Sequence, residues 1–217
     1  MFHPRLPLHP PLSLPWPMKG LESAKTSLSY DEFGRMVLRI RHDLLKGLSP
    51  EMVAWWFCNI GGDMELDGKR LSKYRVWHPF DHIFWQLVQP GPGGQASAGA
   101  KFRIVEAFGR NPDCYIDIID TVTRLDSTGL TGVSYAFGQQ ISHLNHDFTA
   151  VDGGTQYVST LTIGSTLPLF GWILNRLIRH AVFSEAMGRA WLKHNVEEVG
   201  LLEYIIPRIY PDDRRRS

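Results

Sequence analysis

Residues 101–164 read KFRIVEAFGRNPDCYIDIIDTVTRLDSTGLTGVSYAFGQQISHLNHDFTAVDGGTQYVSTLTIG, and their periodicity decides the fold. Five stretches, Lys101 to Phe108, Cys114 to Leu125, Leu130 to Phe137, Gln139 to Phe148 and Thr155 to Gly164, alternate apolar with polar residues or carry β-branched runs. Asn-Pro-Asp, Ser-Thr-Gly, Gly-Gln and Asp-Gly-Gly separate them and supply the residues that short turns need. A period of two repeated across short connections predicts an antiparallel meander.

Beyond Pro168 the period becomes helical, from about Phe170 to Ile206, and it should stop before Pro207. Gly188 and Gly200 each weaken that helix by about 1 kcal/mol relative to alanine, and a bend or break is expected near residues 180–184. Strands followed by one long amphipathic helix define an α+β fold in which the sheet curls around the helix and encloses a cavity. Upstream, Ser49-Pro50-Glu51 is a helix start: a hydroxyl cap, proline at the first helical position and a carboxylate in the first turn. The helix it opens, MVAWWFCNI, is apolar nearly all round and should be buried up to Gly61-Gly62. Residues 90–100, PGPGGQASAGA, read as a flexible loop. Residues 1–20 hold six prolines and read as an extended arm, which Leu6, Leu8, Leu12, Leu14 and Trp16 should fasten to the surface. The expected organisation is this arm, a single domain over residues 21–210, and a solvated tail over 211–217.

The 217 residues carry 23 Lys+Arg against 22 Asp+Glu, a formal net charge of +1. Such a balance argues against a general nucleic-acid binder, which needs a clustered basic excess. The longest apolar run, Leu167 to Ile178, is interrupted by Pro168, Asn175 and Arg176, so no membrane span is expected. Cys58 and Cys114 fit neither a disulfide scaffold nor a paired-cysteine metal site, and a reducing, cytoplasmic setting is the simpler reading. Aromatics outside the expected core, Trp55 and Trp56 among them, suit a homodimer contact or a cavity wall equally.

The informative residues are ionisable groups on faces that should be apolar. Alternation places Phe102, Ile104, Glu106 and Phe108 on one side of their strand and Lys101 and Arg103 on the other. An inward Glu106 must be protonated, matched by a cation or bound to a metal, because an unpaired buried carboxylate costs several kcal/mol. The same count puts His146 inward with Leu144 and Phe148, either as a hydrogen-bonded core residue or as a catalytic one. His194 and Glu198 lie one helical turn apart, the spacing of a metal-binding pair and equally of a surface pair; Glu197 falls off that face and should be solvated. In Tyr74-Arg-Val-Trp-His78-Pro-Phe-Asp-His82, two histidines and an aspartate crowd together among aromatics, and a helix could begin near Pro79. His82 or His78, with Glu106, His194 and Glu198, would offer two imidazoles and two carboxylates to one interior, a set suited to zinc and also to Mn or Fe(II).

Taken together, Tyr74…Trp77-His78-Pro79…Asp81-His82, the inward Glu106, His146…Asp152-Gly153-Gly154, and His194-x-x-x-Glu198…Glu203…Pro207 resemble the 2,4-diacetylphloroglucinol hydrolase family over residues 50–207. The resemblance implies a helix-grip domain like those of START proteins and the birch-pollen allergen. It also implies a zinc-dependent hydrolase that cleaves the carbon-carbon bond between an acyl group and a phenolic ring. By that likeness His82, Glu106, His194 and Glu198 would be the metal ligands, Tyr74 would contact substrate, and His146 would lie near the reacting carbonyl or phenolic oxygens. Trp85 stands where the family pattern would place a polar substrate contact, so the ligands can be kept while the substrate differs. The expected partner is a small aromatic ketone or polyketide. Two rivals remain from other classes: a metal-assisted lyase, aldol or cyclisation step on a polyketide, and a non-enzymatic carrier of an apolar ligand.

Overall fold

A computed structural model of the chain describes residues 4–136, 138–167 and 171–211. The meander is present as β7 (Lys101–Ala107), β8 (Tyr115–Asp126), β9 (Gly129–Ala136), β10 (Gln139–Val151) and β11 (Gly154–Ile163), each within three residues of its predicted bounds. Phe137, Pro168, Phe170 and the tail beyond Pro211 lie outside the described residues.

Four strands before residue 100 complete the sheet: β1 (Lys25–Tyr30), β2 (Met36–Arg41), β3 (Leu45–Lys46) and β6 (His82–Gln89). The nine-stranded antiparallel sheet runs β1-β2-β11-β10-β9-β8-β7-β6, with β3 also paired to β11. A separate hairpin joins β4 (Asp63–Leu66) to β5 (Lys69–Ser72). Two of the added strands frame the site: β2 closes on β11, and β6 pairs with β7 so that His82 faces Glu106 in register.

The helices start where their caps dictate. Ser49 Oγ accepts from the Met52 amide at the head of α1 (Pro50–Cys58), and Ser72 Oγ does the same for Arg75 in α2 (Lys73–Trp77). α2 ends before Pro79 instead of a helix beginning there, because the residue preceding a proline is driven out of helical geometry. The long C-terminal segment is broken at residues 182–184 into α3 (Gly171–Ala181) and α4 (Glu185–Ile209), the second capped by Ser184 on the Met187 amide.

α4 runs past Pro207 rather than stopping before it. The proline removes one backbone donor, while Ile205, Ile206 and Tyr210 around it are buried and hold the last turn in place. Gly188 produces no bend either. A Cβ there would meet Met36 Sδ at 3.0 Å, so the missing side chain lets α4 lie directly on β2.

The proline-rich arm packs against the body. Leu12 donates its amide to the Pro79 carbonyl, Trp16 stacks on Tyr204 at 5.7 Å, and Arg208 sits over the Trp16 ring. Trp56 is fully buried, and Trp55 packs edge-on against Tyr210 at 5.2 Å. Trp56 therefore offers no dimer surface, Trp55 is partly exposed, and neither lines the cavity described below. Among the described residues no helix is long and apolar enough to cross a membrane. Trp16→Ala is expected to lower the unfolding free energy by about 3 kcal/mol, as truncation of a packed tryptophan does; a urea titration whose midpoint does not move would show that the arm carries no stability.

Candidate metal centre

The sheet curls around α4 and leaves a cavity of about 1230 Å³, its open mouth included, walled by Phe57, Trp77, Trp85, Phe102, Ile118 and Trp191. Glu106, His194 and Glu198 line it, and His82 meets them from just behind the wall. His82 opens β6, Glu106 lies opposite it on β7, and His194 and Glu198 descend from successive turns of α4. All four are buried.

His82 Nε2 lies 3.3 Å from Glu106 Oε1 and 3.3 Å from Glu198 Oε2, and His194 Nε2 lies 3.5 Å from Glu106 Oε2 and 3.8 Å from Glu198 Oε2. Ligand bonds of about 2.0 to 2.2 Å at tetrahedral angles would set donor atoms roughly 3.3 to 3.6 Å apart. The observed spacing is close to that of a small divalent ion's shell for His82, Glu106 and His194, whose ligand atoms lie within 4.8 Å of one another; Glu198 faces the two imidazoles from outside that trio.

The outer nitrogens fix the tautomers. His82 Nδ1 meets the Tyr74 carbonyl at 2.7 Å, and a carbonyl only accepts, so this nitrogen carries the proton. His194 Nδ1 likewise donates to Asp81 Oδ2 at 3.0 Å. Neutral imidazoles so arranged present their Nε2 lone pairs to the carboxylate oxygens, and His82 Nε2 is a buried atom with no hydrogen-bond partner among the described residues. Lone pairs would converge on lone pairs unless positive charge, a proton on an imidazole or a bound metal ion, lies between them. Burial opposes charge on both imidazoles, yet Glu106 and Glu198 raise both, His82 to about 9. Burial would raise Glu106, but His194 and His82 hold it down near 2. The pocket thus favours positive charge at its centre, and a zinc ion on two imidazoles and two carboxylates fits the donor set.

A second layer holds these ligands. The Tyr74 hydroxyl donates to Glu106 Oε1, and its ring stacks on His82 at 3.9 Å. Asn195 donates to Glu198 Oε1. Asp81 takes the Gly109 and Arg110 amides besides His194, and burial does not prevent the His194 bond and His78 from holding it well below the usual carboxylate range. Hydrogen bonds of this kind orient ligands and raise their basicity.

His82, and not His78, faces the other three. His78 Nδ1 accepts the Asp81 amide at 3.1 Å, so Nε2 carries the proton, towards Glu197 at 3.4 Å. His78, Asp81 and His194 are also near enough to hold an ion, but protein hydrogen bonds already occupy those atoms. Glu197 is partly buried between His78 and Lys193 instead of freely solvated.

His146 faces the cavity on β10. Its Nδ1 is 3.0 Å from Ser159 Oγ, which also lies 2.9 Å from His42 Nε2, and burial pushes it down to about 3. It is thus a neutral imidazole at physiological pH, a hydrogen-bonding group rather than a cation.

One cavity residue escaped the sequence reading. Asp120, on the inward series Ile116, Ile118, Asp120 and Val122 of β8, is buried, accepts a hydrogen bond from Ser134, and is raised to about 6 by burial despite that bond. The alternation that singled out Glu106 applies to it equally, while its neighbour Asp117 points outward to Arg103.

The architecture is helix-grip: a curved antiparallel sheet closed over a cavity by a long C-terminal helix. Solved structures of similar outline include a START superfamily protein from Mycobacterium smegmatis (13% identity, 76% of this chain and 99% of that one, TM-score 0.44). Others are Ara h 8.0201 (10%, 75% and 98%, TM-score 0.42) and CalU16 from Micromonospora echinospora (12%, 83% and 96%, TM-score 0.38). No protein-family model matches the chain, and no curated protein matches it by sequence.

Two measurements follow. Tyr74→Phe keeps the ring stack but removes the proton from Glu106, and Asp81→Asn weakens the brace on His194; each is expected to lower zinc affinity about 10- to 100-fold, read by competition with a chromophoric chelator. Unchanged affinity in both variants would mean that the second layer does not act on the ligands. For Asp120, a folded pKa of about 6 lies above the unfolded value of 3.8, so its stabilising contribution is complete below pH 3.8 and is lost as pH rises through 6. The difference in unfolding free energy between wild type and Asp120→Asn should therefore shift by roughly 2 kcal/mol in favour of the variant between pH 4 and pH 7; a pH-independent difference would show that Asp120 is not held protonated.

Proposed function

We propose that the chain is a metal-dependent hydrolase of the bond joining an acyl group to a phenolic, phloroglucinol-like ring. The observation that supports this most is the convergence of His82, Glu106, His194 and Glu198, with an unpartnered His82 Nε2, at the inner end of an apolar cavity. The motif spacing resembles that of 2,4-diacetylphloroglucinol hydrolases, and the aromatic walls suit a flat ring. A carrier of apolar ligands would gain nothing from two buried carboxylates facing two imidazoles, an arrangement that is costly without a cation.

In this reaction the ring-acyl carbon bond breaks and the acyl carbon gains the oxygen of water, leaving as a carboxylic acid. The ring carbon takes up a proton. Zinc bound by the four residues would supply Lewis acidity for a carbonyl oxygen and lower the pKa of water towards about 7. Two anionic ligands offset part of its charge, which places weight on the surrounding residues. Tyr74 keeps its proton on Glu106 and fixes the direction of that carboxylate. Asn195 fixes Glu198 in the same way. His146, with Nδ1 engaged by Ser159, leaves Nε2 for a phenolic hydroxyl of the substrate. Phe57, Trp77 and Trp191 exclude water from the ring and hold it against the ligands.

Purified protein is expected to contain zinc and to release a carboxylic acid from acylphloroglucinols, with Glu106→Ala and His194→Ala losing both metal and turnover. Elemental analysis paired with acid-release assays checks this. Acid release that survives in either metal-free variant would contradict the proposal, and rearranged product without released acid would point instead to lyase or cyclase chemistry.

A further inference from the structure

The cavity has a second polar end. Asp120 is directly opposite Phe102 on β7, four residues along from Glu106, so roughly 13 Å of strand separates it from the metal end at about 3.3 Å per residue. Cross-strand Ser134 donates to Asp120 Oδ1, so that oxygen is already engaged. Beside the other oxygen the wall is cut away: a Cβ on Gly132 would lie 3.1 Å from Asp120 Oδ2, and glycine supplies none. Asp120, Gly132 and Ser134 all line the cavity; Phe102, Ile118 and Leu130 beside them are apolar, and one further hydroxyl, Ser142, lies across the strand from Ser134.

Among the described residues no cation answers this carboxylate. The groups acting on it are Ser134 and, at longer range, Glu106, and the latter repels negative charge. A buried carboxyl with one engaged oxygen, one oxygen beside a gap and apolar walls is costly unless a donor arrives from the cavity. The aromatic lining selects a flat donor-bearing ligand over a solvated ammonium. The separation of the two ends matches a molecule about two rings long.

We propose that Asp120, with Ser134 and the gap at Gly132, binds the hydroxyl of a second aromatic ring, so that the ligand is an elongated two-ring phenol. This deepens the hydrolase reading and rests on it for the ligand's other end: the acyl group would carry the remote hydroxylated ring to Asp120.

The test uses the full-length protein with para-hydroxybenzophenone, para-methoxybenzophenone and benzophenone as probes, their dissociation constants measured by titration calorimetry, and zinc content determined on the same samples. Wild type is expected to bind the hydroxyl compound about tenfold more tightly than either of the others, an increment of about 1.4 kcal/mol. Asp120→Ala should erase that preference. Asp120→Asn, which keeps the shape and turns an amide N–H to the cavity, should erase it as well and provides the reading where the alanine variant does not fold. Gly132→Ala should weaken the hydroxyl compound selectively by filling the gap. A wild type without the preference, or a preference that persists in the folded Asp120 variants, would overturn the assignment. The zinc determination reports separately on the other end: protein that lacks zinc yet shows an Asp120-dependent preference upholds this site while sinking the hydrolase reading.

Discussion

Four lone pairs that face one another in a dry interior cannot be left alone. His82 and His194 spend their outer nitrogens on a carbonyl and a carboxylate, and this turns their inner nitrogens towards Glu106 and Glu198. Two imidazoles and Glu106 within about one ion's reach, with Glu198 against both imidazoles, demand positive charge between them, and much of the surrounding structure keeps them in that position. β6 and β7 pair in the register that sets His82 against Glu106, α4 brings its pair down from above, and Asp81, Tyr74 and Asn195 brace all four. The helix reaches the sheet closely enough for this because Gly188 has no side chain to hold it away from Met36.

Much of this frame could be read from periodicity. The meander follows a period of two, and the same alternation pointed Glu106 and His146 inward, where the structure places them. The His194 and Glu198 spacing was legible as one helical face, but spacing alone could not tell a ligand pair from a surface pair. That distinction depends on what meets the helix face, and here the side chains of His82 and Glu106 do so. Choosing His82 over His78 likewise required the break that Pro79 imposes, since it ends α2 at the first histidine and starts a strand at the second.

The omissions have physical causes as well. β1 is a polar edge strand, exposed over most of its length, so nothing in its pattern sets it apart from a loop. β2 does alternate, with Met36, Leu38 and Ile40 buried, but it is short and isolated between polar segments. Pro207 was read as a stop because a proline disfavours the helix locally; burial of the flanking isoleucines outweighs that preference. Asp120 was hidden among the β-branched residues of its strand, although the inward count reaches it directly. Both the strand pattern and the buried carboxyl it carries matter to the cavity, whose two polar ends define the length and character of what can lie between them.

X-ray absorption at the zinc edge of the purified protein tests the central claim most directly. The account predicts a low-coordinate shell of nitrogen and oxygen at about 2.0 to 2.2 Å, with the outer-shell scattering of two imidazoles and no sulfur. Protein without bound metal, or a shell containing sulfur or lacking imidazole, would contradict it.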